Sequence, residues 1–149
     1  MKKGLTIEQG RQAFAHHVIE RALALREKYG DFLDDEAVQT LLNDRDFVRY
    51  PTCVEFDSSK IEPGFFAAVE AVAGSPTNEH IIFLHESFRG RSGDIANALL
   101  YQLVLVNYGD IATREEAELF GATALGIKQE DYYQALCHLA DQIHCPNGS

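Results

Sequence analysis

Two groups of residues in this chain have the types and spacing to do chemistry. His85-Glu86 opens the segment HESFR, which begins like the H-E-x-x-H pattern. In that pattern two histidines four apart share one helix face and bind zinc, while the glutamate activates the water. Here the fifth position is Arg89, and the pair follows an apolar run that reads as a strand. A solvent-edge pair is therefore expected, with a hydrolase site built from His85, Glu86 and Arg89 as the alternative. Cys137, His138, His144 and Cys145 gather four possible zinc ligands near the end of the sequence. Neighbours on a helix point about 100° apart, so Cys137 and His138 diverge. A structural metal site there requires the tail to fold back over the last helical turn. The favoured reading is a half-buried cysteine beside exposed histidines, with no bound metal or cofactor.

Three further candidates carry weaker signals. His16 and His17 are adjacent in a helical stretch and read as having no partner three or four residues away, so one is expected at the core edge and one in solvent. Cys53 and His85 fall on two strands that could meet as nucleophile and base. Nothing around them resembles a nucleophile elbow, and Cys53 is expected as a buried structural thiol. Arg89-Gly90-Arg91-Ser92-Gly93 is a basic, glycine-containing loop ahead of a helix, where backbone N–H groups could hold an anion. It lacks the P-loop lysine and glycine spacing. An ordinary strand-to-helix connection accounts for it, and its arginines could instead meet an acidic patch on a second copy of the chain.

The elements that must position these residues follow from capping signals and apolar periodicity. Thr6 and Gln9 form a capping-box pattern, Phe14, Val18, Ala22 and Leu25 share one helical face, and Gly30 stops the helix. A short helix capped by Asp34 or Asp35 buries Val38, Leu41 and Leu42, and Pro51 closes the region. Thr52 to Asp57 alternates as a half-buried strand, with Val54 and Phe56 on one face. Phe65 to Val72 reads equally as helix or strand; His80 to His85 reads as a strand. Asp94 is expected to cap a long helix that is apolar nearly all round and ends at Gly109. Thr113 and Glu116 make a second capping box, ahead of a helix that buries Ala117, Phe120 and Ala124 and stops at Gly126. A last helix, about Gln129 to Ile143, buries Tyr132, Leu136, Leu139 and Ile143 and leads into a flexible tail. This order predicts one α+β domain over residues 1–149, its helices packed on one small, mostly antiparallel sheet.

Composition restricts the function classes. A chain of 149 residues that is 46% hydrophobic has enough apolar material for a substantial core. The longest apolar run, Ala98 to Val106, is broken by Gln102 and is too short to span a bilayer. The start, MKKGLTIEQG, lacks the apolar segment of a signal peptide. Three cysteines without an export signal are expected to be reduced thiols in a cytoplasm. A net charge of −10 disfavours nucleic acid and anionic membranes as partners, leaving a protein partner or self-association.

The segment from Gly93 to Gly126 joins the apolar helix to the acidic-opened one, and it contains Ala117-Glu118-Leu119-Phe120-Gly121-Ala122. With the preceding small sheet, Thr52 to Gly126 resembles the minimal zincin-like metallopeptidase core. That family places a glutamate ligand just before an Ala-Asp/Asn-x-Phe-Ala stretch. The resemblance implies zinc ligands on the first helix and at the start of the second. Laid on this chain, those positions are Tyr101, Gln102 and Leu105, for His, Glu and His, and Arg114 for the third ligand. No histidine lies between Ser87 and Leu136. The resemblance therefore implies a catalytically inert relative, a zincin-like domain used for binding or assembly.

Overall fold

A computed structural model describes residues 6–30 and 32–144. The C-terminal tail, with Cys145, lies outside the described residues.

Helix α1 (Ile7–Tyr29) opens on the expected capping box, in which Gln9 N–H donates to Thr6 Oγ1 and Thr6 N–H to Gln9 Oε1, both at 3.0 Å. Val18, Ala22 and Leu25 recur along its length and are buried. Gly30 stops it at φ 83°, a left-handed conformation that glycine adopts without a Cβ clash. Helix α2 (Asp35–Leu42) is capped by Asp34, whose carboxylate accepts the Ala37 N–H at 2.8 Å.

Three strands follow: β1 (Thr52–Phe56), β2 (Ala67–Ala71) and β3 (His80–Leu84). The ambiguous Phe65–Val72 stretch is thus a strand. It pairs antiparallel with β3, Val69 opposite Ile82, while β1 pairs parallel with β3, Val54 opposite Ile82. The order is β1-β3-β2, so the sheet is mixed, with one ladder of each kind. Central β3 accordingly carries the most continuous apolar run, with Ile82, Phe83 and Leu84 all buried.

Helix α3 (Ser92–Tyr108) packs on β2 and β3 and against helices α4 (Arg114–Leu125) and α5 (Gln129–His144). Enclosed by these neighbours, it buries Ile95, Ala96, Ala98, Leu99, Leu100, Gln102, Leu103, Val104 and Val106. No helix among the described residues is long and apolar enough to cross a membrane.

The start of α3 differs from the expectation. Asp94 does not cap it; the helix begins two residues earlier, and Asp94 lies in the first turn, paired with Arg91 at 2.5 Å. A negative charge there still favours the helix dipole. At the end of α5, Ile143 is half-buried rather than fully enclosed.

Two contacts set the helical layer. Tyr132 of α5 is fully buried and its hydroxyl donates to the Asn97 carbonyl of α3 at 2.6 Å. Its ring lies directly on Gly121 of α4, where a Cβ would come within 2.1 Å of Tyr132 Cζ. Glu116, in the first turn of α4, accepts from Thr113 N–H at 2.7 Å, from the Thr113 hydroxyl at 2.6 Å and from Arg11 Nη2 of α1 at 2.6 Å. Burial pushes the Glu116 carboxyl up, but the Thr113 bonds and the Arg11 charge outweigh it and hold the group below the usual carboxylate range.

Gly121→Ala is expected to destabilise the fold by about 3 kcal/mol, read by urea unfolding, because backbone and ring must part. Adding Tyr132→Leu should recover part of that loss; no recovery would show that the ring is not the obstacle. Glu116→Gln should cost about 1–2 kcal/mol at pH 7, a value discounted because the Arg11 side chain is 41% exposed. A depressed folded-state pKa stabilises above the ordinary carboxylate value and ceases to do so as pH falls through the folded one. The gap between wild type and Glu116→Gln should therefore close as pH drops below about 4, measured by unfolding at successive pH values.

Candidate functional site

The four positions that the resemblance lays onto a zinc site serve packing and surface roles. Gln102 is buried in α3, Tyr101 and Leu105 are half-buried, and Arg114 is exposed at the start of α4. Tyr101 and Arg114 do stand near one another, around Glu118. Burial raises the Tyr101 hydroxyl pKa, the Glu118 charge raises it further, and Arg114 opposes both. Glu118 accepts from Gln129 Nε2 at 3.2 Å and lies 3.6 Å from Arg114 Nε. Sequence reasoning passed over Glu118, although an Arg-Glu pair four apart on a helix is a recognisable signal. Among the described residues, no group of three or more His, Cys, Asp or Glu side chains is placed to hold a metal ion.

His85, Glu86 and Arg89 are engaged separately. His85 Nδ1 accepts the Ser87 N–H at 3.2 Å, capping a short 3-10 turn at Glu86–Phe88. The Glu86 side chain is exposed, and its N–H donates to Ser58 Oγ at 3.0 Å. Arg89 lies over the Phe56 ring, 4.7 Å from its centroid. Cys53 is exposed rather than buried, because it lies on the open face of edge strand β1. Partial burial, Glu55 and Glu79 hold its thiol above the usual range. Cys53 is level with Ile81 in the parallel ladder, so His85 lies four residues further on, about 13 Å along the strand. The two cannot act together.

The remaining candidates are also accounted for. Cys137 is half-buried and His138 exposed; Cys145 is outside the described residues. His16 and His17 are both exposed, against the expectation of one at the core edge. His16 does have a partner four residues on, Glu20 at 3.4 Å, and His17 Nε2 lies 2.9 Å from the Tyr108 hydroxyl. In the glycine-containing loop, Arg91 pairs with Asp94 and donates to Gln142 Oε1 at 2.8 Å, so it is engaged within the chain.

The arrangement with the clearest binding chemistry lies elsewhere. A cleft of about 230 Å³ opens between α1, the loop from α2 to β1, and the C-terminal end of α3. His17, Arg21, Arg45, Arg49, Asn107 and Tyr108 line it, with Asp46 and the rings of Phe47 and Phe120. Arg21 lies over the Phe47 ring and donates to the Asp46 carbonyl at 2.8 Å. Arg45 donates to the Leu42 and Val48 carbonyls at 3.3 and 3.2 Å, and Arg49 to the Asn107 carbonyl at 3.2 Å. Each bond uses a neutral acceptor and leaves guanidinium N–H groups over. Among the described residues none of the three arginines is ion-paired with a carboxylate. The charge of Asp46 acts on Lys28 and Tyr29. Burial raises the Tyr108 hydroxyl pKa, while Arg21 and Arg49 both pull it down, so two guanidiniums bear on one hydroxyl.

The loop that carries Arg45 and Arg49 is held at two points. Asn107 donates to the Phe47 carbonyl at 2.7 Å and accepts the Arg49 N–H at 2.8 Å. Asp44 accepts from Lys28 Nζ and the Tyr29 hydroxyl, each at 2.7 Å, and from the Asp46 N–H at 3.0 Å. Lys28 and Tyr29 keep the Asp44 carboxyl below its usual range, while Tyr29 itself, through burial and Asp44, is pushed up to about 12. No sequence motif announces this cleft, since its residues come from four separated segments. The only local trace is Arg45 and Arg49, four apart between Leu42 and Pro51.

Compared with known proteins, the chain matches no family model, no curated protein and no solved structure.

Asp44→Ala should release one end of the loop. Hydrogen exchange of the Asp46 amide is expected to accelerate about tenfold or more, with the amides of β3 unchanged. Equal acceleration in both would mean that Asp44 supports the whole fold instead.

Proposed function

We propose that this chain is a non-catalytic binding domain, a zincin-like scaffold without its zinc, that holds an anionic group in the arginine-lined cleft. The carrying observation is the gathering of Arg21, Arg45 and Arg49 around one opening, without carboxylate partners among the described residues, on a chain of net charge −10. Among the described residues Asp46 is the one carboxylate in the lining, so three guanidiniums leave the opening with a net positive local field that attracts a negative group. The acidic remainder of the surface repels extended polyanions. The complementary ligand is therefore a compact anion, or an acidic group presented by a partner protein.

The scaffold half of the proposal rests on the resemblance over Thr52 to Gly126, with Tyr101, Gln102, Leu105 and Arg114 at the ligand positions. Gln102 is enclosed in the core and Arg114 is paired with Glu118. A hydrolase at His85, Glu86 and Arg89 has less support, because each of those residues is tied to a different neighbour.

Sulfate, malonate and phosphate, compared with chloride at matched ionic strength, test the cleft by thermal unfolding. At least one is expected to raise Tm by about 5 °C near saturation, and Arg21→Ala and Arg49→Ala should abolish the rise. No shift with any anion would overturn the binding reading. Metal analysis of the purified chain should give less than about 0.1 equivalent of zinc, and stoichiometric zinc lost on Tyr101→Phe would overturn the scaffold reading.

A further inference from the structure

We infer that the ligand of the arginine-lined cleft is a small phosphomonoester; this rests on the anion-binding reading above and narrows it. The first reason is donor geometry. A guanidinium presents five N–H donors in a planar fork, and one fork satisfies the two coplanar oxygens of a carboxylate. Here three arginines, one from α1 and two from the α2–β1 loop, line the same opening, each with one guanidinium nitrogen held by a main-chain carbonyl and other N–H groups left over. Forks arriving from separate segments suit a tetrahedral group with three outward oxygens. A phosphomonoester supplies these together with about −1.5 to −2 charge at pH 7.

The second reason is what lies beside the charges. Phe47 and Phe120, both almost wholly buried, form an apolar floor to the cleft, and the half-buried Tyr108 ring stands at its side with Asn107. Bare phosphate has no use for an aromatic wall, whereas the organic part of an ester does. The third reason is size. At about 230 Å³ the cleft is below the range of roughly 300–1,000 Å³ typical of sites for drug-sized molecules. It accommodates a phosphate with a short organic group.

Calorimetric titration of the full chain with phenyl phosphate, inorganic phosphate and malonate tests this, with backbone amide shifts locating the site. Both phosphates are expected to bind about tenfold or more tighter than malonate, and phenyl phosphate a few-fold tighter than inorganic phosphate. Arg49→Lys, which keeps the charge and removes the fork, should weaken phenyl phosphate about threefold or more. The largest amide shifts should fall on Phe47, Arg49 and Tyr108. Malonate binding as tightly as the phosphates, with shifts at the cleft, would overturn the phosphomonoester assignment and leave the anion-binding reading standing. Phosphate binding mapped to another surface would overturn the assignment as well. No binding of any of the three at about 10 mM would overturn both.

Discussion

Tyr132 can lie inside this protein only because residue 121 has no side chain. Its ring occupies the space that a Cβ at Gly121 would need, and its hydroxyl is satisfied by the Asn97 carbonyl. One residue thus fixes α5 against both α3 and α4. With those helices in place on one side and the sheet on the other, α3 is enclosed nearly all round. The placement of α4 then presents Glu116 to Arg11, which fastens α1. Once α1 is fastened, Arg21 and His17 stand over the cleft. The arginine-lined cleft is therefore the outer end of a chain of constraints that begins at a glycine in the core.

That arrangement explains why the cleft lies away from the middle of α3. A helix enclosed nearly all round leaves little free face for a metal and its substrate, and its interior positions favour residues that pack. Its polar end is different. Where α3 emerges, Asn107 binds two main-chain groups of the α2–β1 loop, Tyr108 meets His17, and Gly109 ends the helix with a left-handed turn. The loop so held carries two of the three cleft arginines. A zincin-like helix pair would place its function at mid-helix; in this chain the arginines gather at the helix terminus.

Much of the fold was legible because its signals are local. Both capping boxes, the Asp34 cap and the stops at Gly30, Gly109 and Gly126 depend on residues within one turn of each other. The burial of Val18, Ala22 and Leu25 follows from helical periodicity alone. Phe65–Val72 was ambiguous because alanine permits either state, and pairing with β3 decided it. Asp94 competed as a cap with a start at Ser92, and the Arg91–Asp94 pair accompanies the earlier start. Cys53 looked like a core residue by type, yet edge position and strand alternation leave it exposed.

By itself, the sequence determined the element order apart from Phe65–Val72, the α+β class, the buried character of α3 and the residue types at the positions a zincin-like helix pair would use for zinc. Each of these rests on residue type or on spacing within one element. Only the tertiary structure decided the mixed strand order, the separation of Cys53 from His85, and the meeting of Arg21, Arg45 and Arg49 beside Tyr108. Those facts depend on which segments pack together across the chain, and periodicity within a segment carries no record of the segment it will face.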